Sequence, residues 1–560
     1  MADQLVETAA PDARTQKRYA ALKLSEDGRL ATLDAMGDDR RELNAAERIK
    51  LEKPGPKVWD DVVQRYAAGG FASIDADDFD RFKWIGVYQQ RPKDGHFMLR
   101  VKLPGGQVSN AQMRVLAGIT RDYARGISDI TTRQTLQMHW LTIDMFPDIM
   151  ERLGTVGLGV NEGFFGACGD ICRNIVSSPI AGLDPEAVID TTPLVLEANR
   201  YFSAHPDYAD LPRKFKVGIF GHRSAGQCEI NCAAFYGVQR TDGSIGYGMT
   251  VGGGLSTEPH IGQDLNVFVQ PEQVMEVLEA VTRTYRDHGY RKNRKHARLK
   301  YLVADWGREK FRAEIEKLIG YALPDAEAQP RVKGYEDKLG VFPQKQAGLS
   351  FVGVPVVAGR LTDAQMLAVA DLAQEFGTGD VRFTVMQNFY LINVPNEKIA
   401  DLLARLDDLG FPVEASPVRR GIVACTGIEF CNLAVTETKA RAANLVQLLD
   451  RDVKWTASEF FRINVNGCPN SCGQHWIADV GLQGCHKKID GQIVEHYDVY
   501  LGGTLGTDAR FNRRIKRLPA EEIAPAVQKL VGSYEGSRLS GESFADWVSR
   551  HSDEELEVLF

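Results

Sequence analysis

The chain has 560 residues, 44% of them hydrophobic and 25% charged, with a net charge of −8. That length predicts several domains or one large repeated architecture with an ordinary globular composition. The acidic balance argues against a nucleic-acid-binding protein, and the lack of any run of 18 apolar residues argues against a membrane span.

In chain order, an N-terminal extension (1–60) opens with MADQLVETAAPDARTQKR, too polar for an export signal. Nine cysteines, an odd number, without such a signal predict a reducing compartment, the cytoplasm. A first unit (61–155) carries Tyr88 in IGVYQQR and Arg100 in FMLRVK. NAQMRVLAGITRDYA has helical spacing, with Asn110 as the expected N-cap. ITTRQTLQMHWLTI alternates and predicts a strand, on which Arg133, Gln137 and His139 share a face and Gln134 points away.

A larger unit (156–335) holds ACGDICRN, with Cys168, Cys172 and Arg173, then LPRKFK, with Arg213, Lys214 and Lys216. Alternation along RKFK puts Lys214 and Lys216 on one face. MTVGGGLS contains Gly253, where a backbone without side chains lets N–H groups approach an anion closely. The basic run Arg291 to Lys300 reads as a solvated helix face, a docking face for an acidic partner, or a contact to an acidic cofactor.

The next two units (336–415 and 416–555) repeat the first two at an offset of about 250 residues. FMLRVKLPGGQVSNAQ pairs with SFVGVPVVAGRLTDAQ, SDITTRQTLQ with GDVRFTVMQN, and KVGIFGHRSAGQ with RINVNGCPNSCGQ, in the same order. LTDAQMLAVADLAQEFG repeats the helix and ends at Gly377. Two mixed α/β halves related by a pseudo-two-fold axis leave a central cleft for a large cofactor.

The second copy carries Cys425 and Cys431 (C-x5-C), then Cys468 and Cys472 (C-x3-C) in NGCPNSCGQ, with Asn470 between them. Four thiols from two short loops point to an iron–sulfur cluster. Zinc ribbons use C-x2-C pairs, and unrelated buried thiols are the remaining alternative. In the first copy His222 aligns with Cys468. Cys168, Cys172, Cys228 and Cys232 form two C-x3-C pairs open to a second cluster, and Cys485 reads as core. The tail 556–560 resembles a truncated viral 3C-type protease site and is set outside the domains.

Together these segments resemble the siroheme- and 4Fe–4S-containing assimilatory sulfite and nitrite reductases of the ferredoxin-dependent type, over residues 60 to 545. The resemblance implies an α+β fold with internal duplication: two ferredoxin-like half-domains plus two larger α/β lobes around a central siroheme cleft. It implies a 4Fe–4S cluster on Cys425, Cys431, Cys468 and Cys472, with Cys472 bridging to the siroheme iron. Arg100, Arg173, Lys214 and Lys216 are implied as the anion-binding catalytic set. Arg133, Gln134, Gln137, His139, Arg213, Gly253 and Asn470 are candidates for holding siroheme, His139 being also an alternative iron ligand. Some members of the family link a Tyr and a Cys beside the siroheme, which would here be Tyr88 and Cys168. Lys214-Phe215-Lys216 favours sulfite over nitrite as the small-anion substrate. No flavin or nicotinamide fingerprint is present, so ferredoxin is the expected donor, with an NADPH flavoprotein subunit as the alternative. The basic run Arg291 to Lys300 or that at Arg513 to Arg517 is a candidate docking face.

Overall fold

Two capping boxes start the equivalent helices of the two copies. Ser109 Oγ accepts from the Gln112 N–H (3.2 Å) and Gln112 Oε1 accepts from the Ser109 N–H (3.0 Å), opening the helix Asn110–Tyr123. Thr362 and Gln365 repeat this at the helix Asp363–Phe376, which ends at Gly377 as expected. The first cap is therefore Ser109 and not Asn110, whose amide reaches across to Ala370 O at 2.6 Å. The computed structural model describes residues 44–159, 166–456 and 460–560.

The first half-domain contributes β1 (Val87–Gln89), β2 (Phe97–Val101), β3 (Gln107–Val108), β4 (Ile127–Ile130) and β5 (Leu136–Leu141). The first lobe contributes β6 (Val217–Phe220), β7 (Ala233–Gln239), β8 (Ile245–Val251) and β9 (Gln263–Asp264). The second half-domain adds β10 (Gly340–Pro343), β11 (Leu349–Val354), β12 (Arg360–Thr362), β13 (Val381–Phe383) and β14 (Phe389–Pro395). The second lobe adds β15 (Ile422–Ala424), β16 (Ile463–Asn466), β17 (Val480–Ile489), β18 (Gln492–Leu501) and β19 (Arg513–Pro519). This is the α+β duplication expected.

The half-domains exchange strands. One sheet runs β1-β2-β5-β4-β12 and the other β10-β11-β14-β13-β3, so each ends on a strand from the other copy. β12 lies antiparallel to β4, and β3 antiparallel to β13. One hydrophobic core serves both, joining Phe97, Met113 and Leu116 to Met366, Val369 and Phe389. The lobes have separate cores. The first packs Phe215, Val217 and Phe235 with Leu278, and the second packs Ile463, Val465 and Leu482 with Trp547. Leu556 is fully buried in the second-lobe core, so the tail set outside the domains is part of the fold.

The segment expected as one strand after Ile127 is two. Thr131–Gln134 form a turn between β4 and β5, with Gln134 in the left-handed region (φ 56°). Arg133 thus sits in a turn, while Gln137 and His139 lie on β5. Of the predicted extension, residues 1–43 lie outside the described residues. Asn44 caps the helix Ala45–Glu52 and donates to Arg291 O (2.5 Å), tying this helix to the first lobe.

Candidate functional site

Parallel pairing of β15 with β16 sets Ala424 beside Val465, so the loops leaving these two strands start together. Cys425 and Cys431 occupy the first loop, Cys468 and Cys472 the second. Backbone and amide N–H groups point at sulfur: Gly467 N–H to Cys425 Sγ (3.2 Å) and Asn470 Nδ2 to Cys468 Sγ (3.5 Å). Burial pushes Cys425 up to about 12 and Cys468 up to about 11, and the charge of Cys472 adds to both. Among the described residues no three of these sulfurs lie within 4.8 Å of one another, whereas sulfurs around one zinc ion are about 3.8 Å apart. The four thiols are therefore not gathered tightly around a single ion.

The first copy supplies the cations. Arg100 on β2 faces Gln137 on β5, and its Nε and Nη2 donate to Gln137 Oε1 at 3.1 and 2.6 Å. Its Nη1 donates to Cys168 Sγ at 3.2 Å. Burial opposes the Arg100 charge, but Cys168, Tyr88 and Cys472 hold it above its ordinary value. Arg173 is held by Gly169 O (3.0 Å) and Ala167 O (3.4 Å). Phe215 is buried and bridged to Cys172, which leaves Lys214 and Lys216 half-buried on the opposite face, as alternation predicts. Burial and then the Arg298 and Arg213 guanidiniums push Lys214 down to about 7, with Cys472 opposing. Burial, Arg298, Lys214 and Arg133 also push Lys216 well below its ordinary value. Arg100, Lys214 and Lys216 are therefore all within electrostatic reach of the Cys472 sulfur.

The remaining candidates divide. Arg133 is pushed down to about 10 by burial; it donates to Asn231 Oδ1 (2.5 Å), Asn174 O (2.7 Å) and Val217 O (2.9 Å), while its buried Nε is unpartnered. Gln137 Nε2 reaches Thr426 Oγ1 (3.1 Å) in the cysteine loop. Gln134 is a correction: its amide is used by Gly105 O, Ser177 O and Phe383 O, so it latches the two copies and does not face the cleft. His139 stacks on Phe430 (3.9 Å, 13°) and burial pushes it down to about 3, a neutral ring behind the cysteine loop. Arg213 lies 3.6 Å from Asp170. At Gly253 a side chain would strike Glu229 O and Asn231 O, so glycine is required by loop-on-loop packing. Tyr88 is pushed up to about 12 by burial and the neighbouring Cys168. The four first-copy cysteines are used separately: Cys168 and Cys232 accept from Arg100 and Arg298, Cys172 lies in the first-lobe core, and Cys228 packs with Phe220 and Tyr236.

Most arginines of the two basic runs offered as docking faces are already engaged, while Lys292 and Lys295 are exposed. Arg291 is buried against Glu47 and Asp210 (3.0 Å each), and Arg298 and Lys300 are buried. Arg514 and Arg517 share Asp498, and Arg513 pairs with Asp553.

Three features escaped sequence reasoning. Arg298 donates to Cys232 Sγ (3.3 Å) beside Lys214 and Lys216, with its buried Nε unpartnered; in sequence it is one more charge in a basic run. Asp170, fully buried, takes a bidentate bond from Arg294 (2.7 and 3.0 Å) and lies 3.9 Å from Lys50. Gln227 and Gln474, aligned in the repeat, exchange amide hydrogen bonds at 3.0 and 2.9 Å.

The family model described as the nitrite and sulphite reductase 4Fe-4S domain matches residues 168–322 and 416–557. That for the nitrite/sulfite reductase ferredoxin-like half domain matches 88–156 and 342–409. Sulfite reductase (ferredoxin) 2 of Mycolicibacterium paratuberculosis is 40% identical over 548 residues, covering 93% of this chain and 97% of that protein. Ferredoxin–nitrite reductase of Synechococcus elongatus is 39% identical over 497 residues, covering 87% and 95%. The solved structure of the Mycobacterium tuberculosis NirA protein superposes with a TM-score of 0.88 at 39% identity, covering 92% of this chain and 98% of that one.

Proposed function

Because the chain belongs to the nitrite and sulfite reductase family, we propose that it reduces sulfite to sulfide with six electrons, taken from a reduced ferredoxin. Nitrite to ammonia is the second reading, favoured by the likeness to the Synechococcus nitrite reductase. The observation that carries the reading is the gathering of first-copy cations around the second-copy Cys472.

The residues fit the cofactors of the family. The thiols leave two adjacent loops and two of them receive N–H donors, which suits a cluster that Cys425, Cys431, Cys468 and Cys472 would hold. Siroheme carries eight carboxylates, and the cleft presents Arg133, Arg298 and Arg213 together with buried guanidinium nitrogens that lack a protein partner. When bound, siroheme and the cluster supply iron for the anion and an electron path through Cys472.

Arg100 and Arg173, fixed by Gln137 and by the carbonyls of residues 167 and 169, hold the anionic oxygens with permanent charge. Lys214 holds its proton on Nζ near neutrality, so it both donates and is recharged at physiological pH. Six protons per sulfite leave three oxygens as water, and Lys214 and Lys216 are the proton-bearing side chains assigned to that delivery. A doubly charged anion in the cleft offsets the burial and the neighbouring cations that strip the proton from Lys216, so two adjacent lysines become ammoniums with sulfite more readily than with singly charged nitrite. Tyr88 lies against Cys168 at the foot of Arg100 and packs this wall of the pocket. A cluster held by thiolates suits the reducing cytoplasm.

Steady-state assays with both anions, driven first by reduced methyl viologen and then by ferredoxin, test the reading. Sulfite is expected to have the higher kcat/KM with either donor. A nitrite kcat/KM well above that of sulfite overturns the substrate choice, and activity with viologen alone overturns the donor.

A further inference from the structure

We propose that Gln227 and Thr132, both in the first copy, are positioning residues for Cys472, fixing the loop that carries it. The inference rests on the reading that Cys472 joins the cluster to the siroheme.

The loop is unusual in its backbone. Ser471 (φ 53°) and Gln474 (φ 64°) flank Cys472 and Gly473, and both non-glycine residues sit in the left-handed region. A segment with two such residues keeps its shape only where outside bonds over-determine it. Within its own lobe the loop is held by Asn466 Oδ1, which accepts from Gly473 N–H (2.7 Å), and by Asn464 Nδ2, which donates to Gln474 O (3.0 Å).

The other grips come from the first copy. Thr132 Oγ1 donates to the carbonyl of Cys472 itself (2.9 Å). Gln227 and Gln474 form a closed pair of amide bonds, and both side chains are buried. Burial makes the pair demanding, since an apolar partner would leave the other amide unsatisfied away from water. The pair is also tied to the cleft wall: Gln227 O accepts from Asn231 Nδ2 (2.7 Å), and Asn231 Oδ1 accepts from Arg133. A shift of either lobe therefore moves the Cys472 sulfur relative to the cations facing it.

The test uses cofactor-loaded Gln227→Leu, Gln227→Glu and Thr132→Val proteins with viologen as donor. Bound siroheme and iron are measured, and the magnetic coupling between the two centres is read by electron paramagnetic resonance. The expected result is an altered coupling signal and a kcat per bound siroheme about tenfold lower, with the KM for the anion unchanged. Gln227→Glu keeps one of the two amide bonds and is expected to fall between Leu and wild type. Wild-type coupling and kcat per siroheme in all three variants overturn the proposal. So does failure of all three to take up cofactors, which makes the contacts purely structural. If the wild-type protein itself shows no coupling, the bridging reading of Cys472 fails, a result distinct from coupling that survives the substitutions.

Discussion

Gln134 and Gln387 stand at equivalent positions in the two copies, and each donates its side-chain amide to a backbone carbonyl of the other half. Gln134 Nε2 reaches Phe383 O and Gln387 Nε2 reaches Ile130 O, both at 2.9 Å. Each residue adopts a left-handed backbone (φ 56° and 68°) to make that reach. These crossed latches hold the cation-bearing half against the cysteine-bearing half.

Lys216→Asn is expected to lower kcat/KM for sulfite by about 100-fold, the scale of losing one donor to a developing oxyanion. Nitrite, with less charge to neutralise, is expected to lose less. Parallel steady-state assays of both anions check this, and equal losses would remove the discriminating role of Lys216.

Cys431→Ser is expected to leave the chain folded but without the cluster, because burial already disfavours ionisation at this position. Iron and acid-labile sulfide analysis should show labile sulfide lost, with ferredoxin- and viologen-driven activity lost together. Retained labile sulfide would assign the cluster to another ligand set.

Asp170 governs part of the acid stability. Although burial opposes ionisation, Arg294, Lys50 and Arg213 hold its carboxyl down at about 2, against about 3.9 in an unfolded chain. Its contribution is therefore full above about pH 4 and is lost as pH falls toward 2. Asp170→Asn should destabilise the protein at neutral pH by about 3–5 kcal/mol and flatten its stability profile between those limits. Denaturant midpoints measured across that range decide it, and an unchanged acid slope would falsify the assignment.

Tyr88 and Cys168 interact beside Arg100, and we propose that a thioether joins them. Tryptic mapping of the purified holoprotein is expected to give one cross-linked peptide, lighter than its two parts by two hydrogen atoms. Two separate peptides would show an unlinked tyrosine and a free thiol.

The duplication and the cysteine loops were legible because their signals are local: helix caps, strand alternation and short cysteine spacings all survive in a single stretch of chain. The turn at Thr131–Gln134 was not, since nothing local announces a glutamine with positive φ; what stabilises it is a carbonyl from the other half. Arg298 and Asp170 look like surface charges until the lobe folds around them. Gln474 sits beside the cysteine motif, yet its partner is 247 residues away. Arg291 shows the reverse error, a residue of a conspicuous basic run that the fold buries.

The exchange of β3 and β12 between the two sheets is the kind of contact by which two identical chains build a symmetric dimer. In such a dimer every residue appears on both sides of the axis, so a cysteine opposite a lysine on one side demands the same pair on the other. Joining the copies in one chain removes that constraint. Position 222 carries histidine where its counterpart 468 carries cysteine, and position 100 carries arginine where its counterpart 353 carries glycine. Covalent fusion thus permits one reaction centre with two unlike walls, instead of two identical centres that each must serve both purposes.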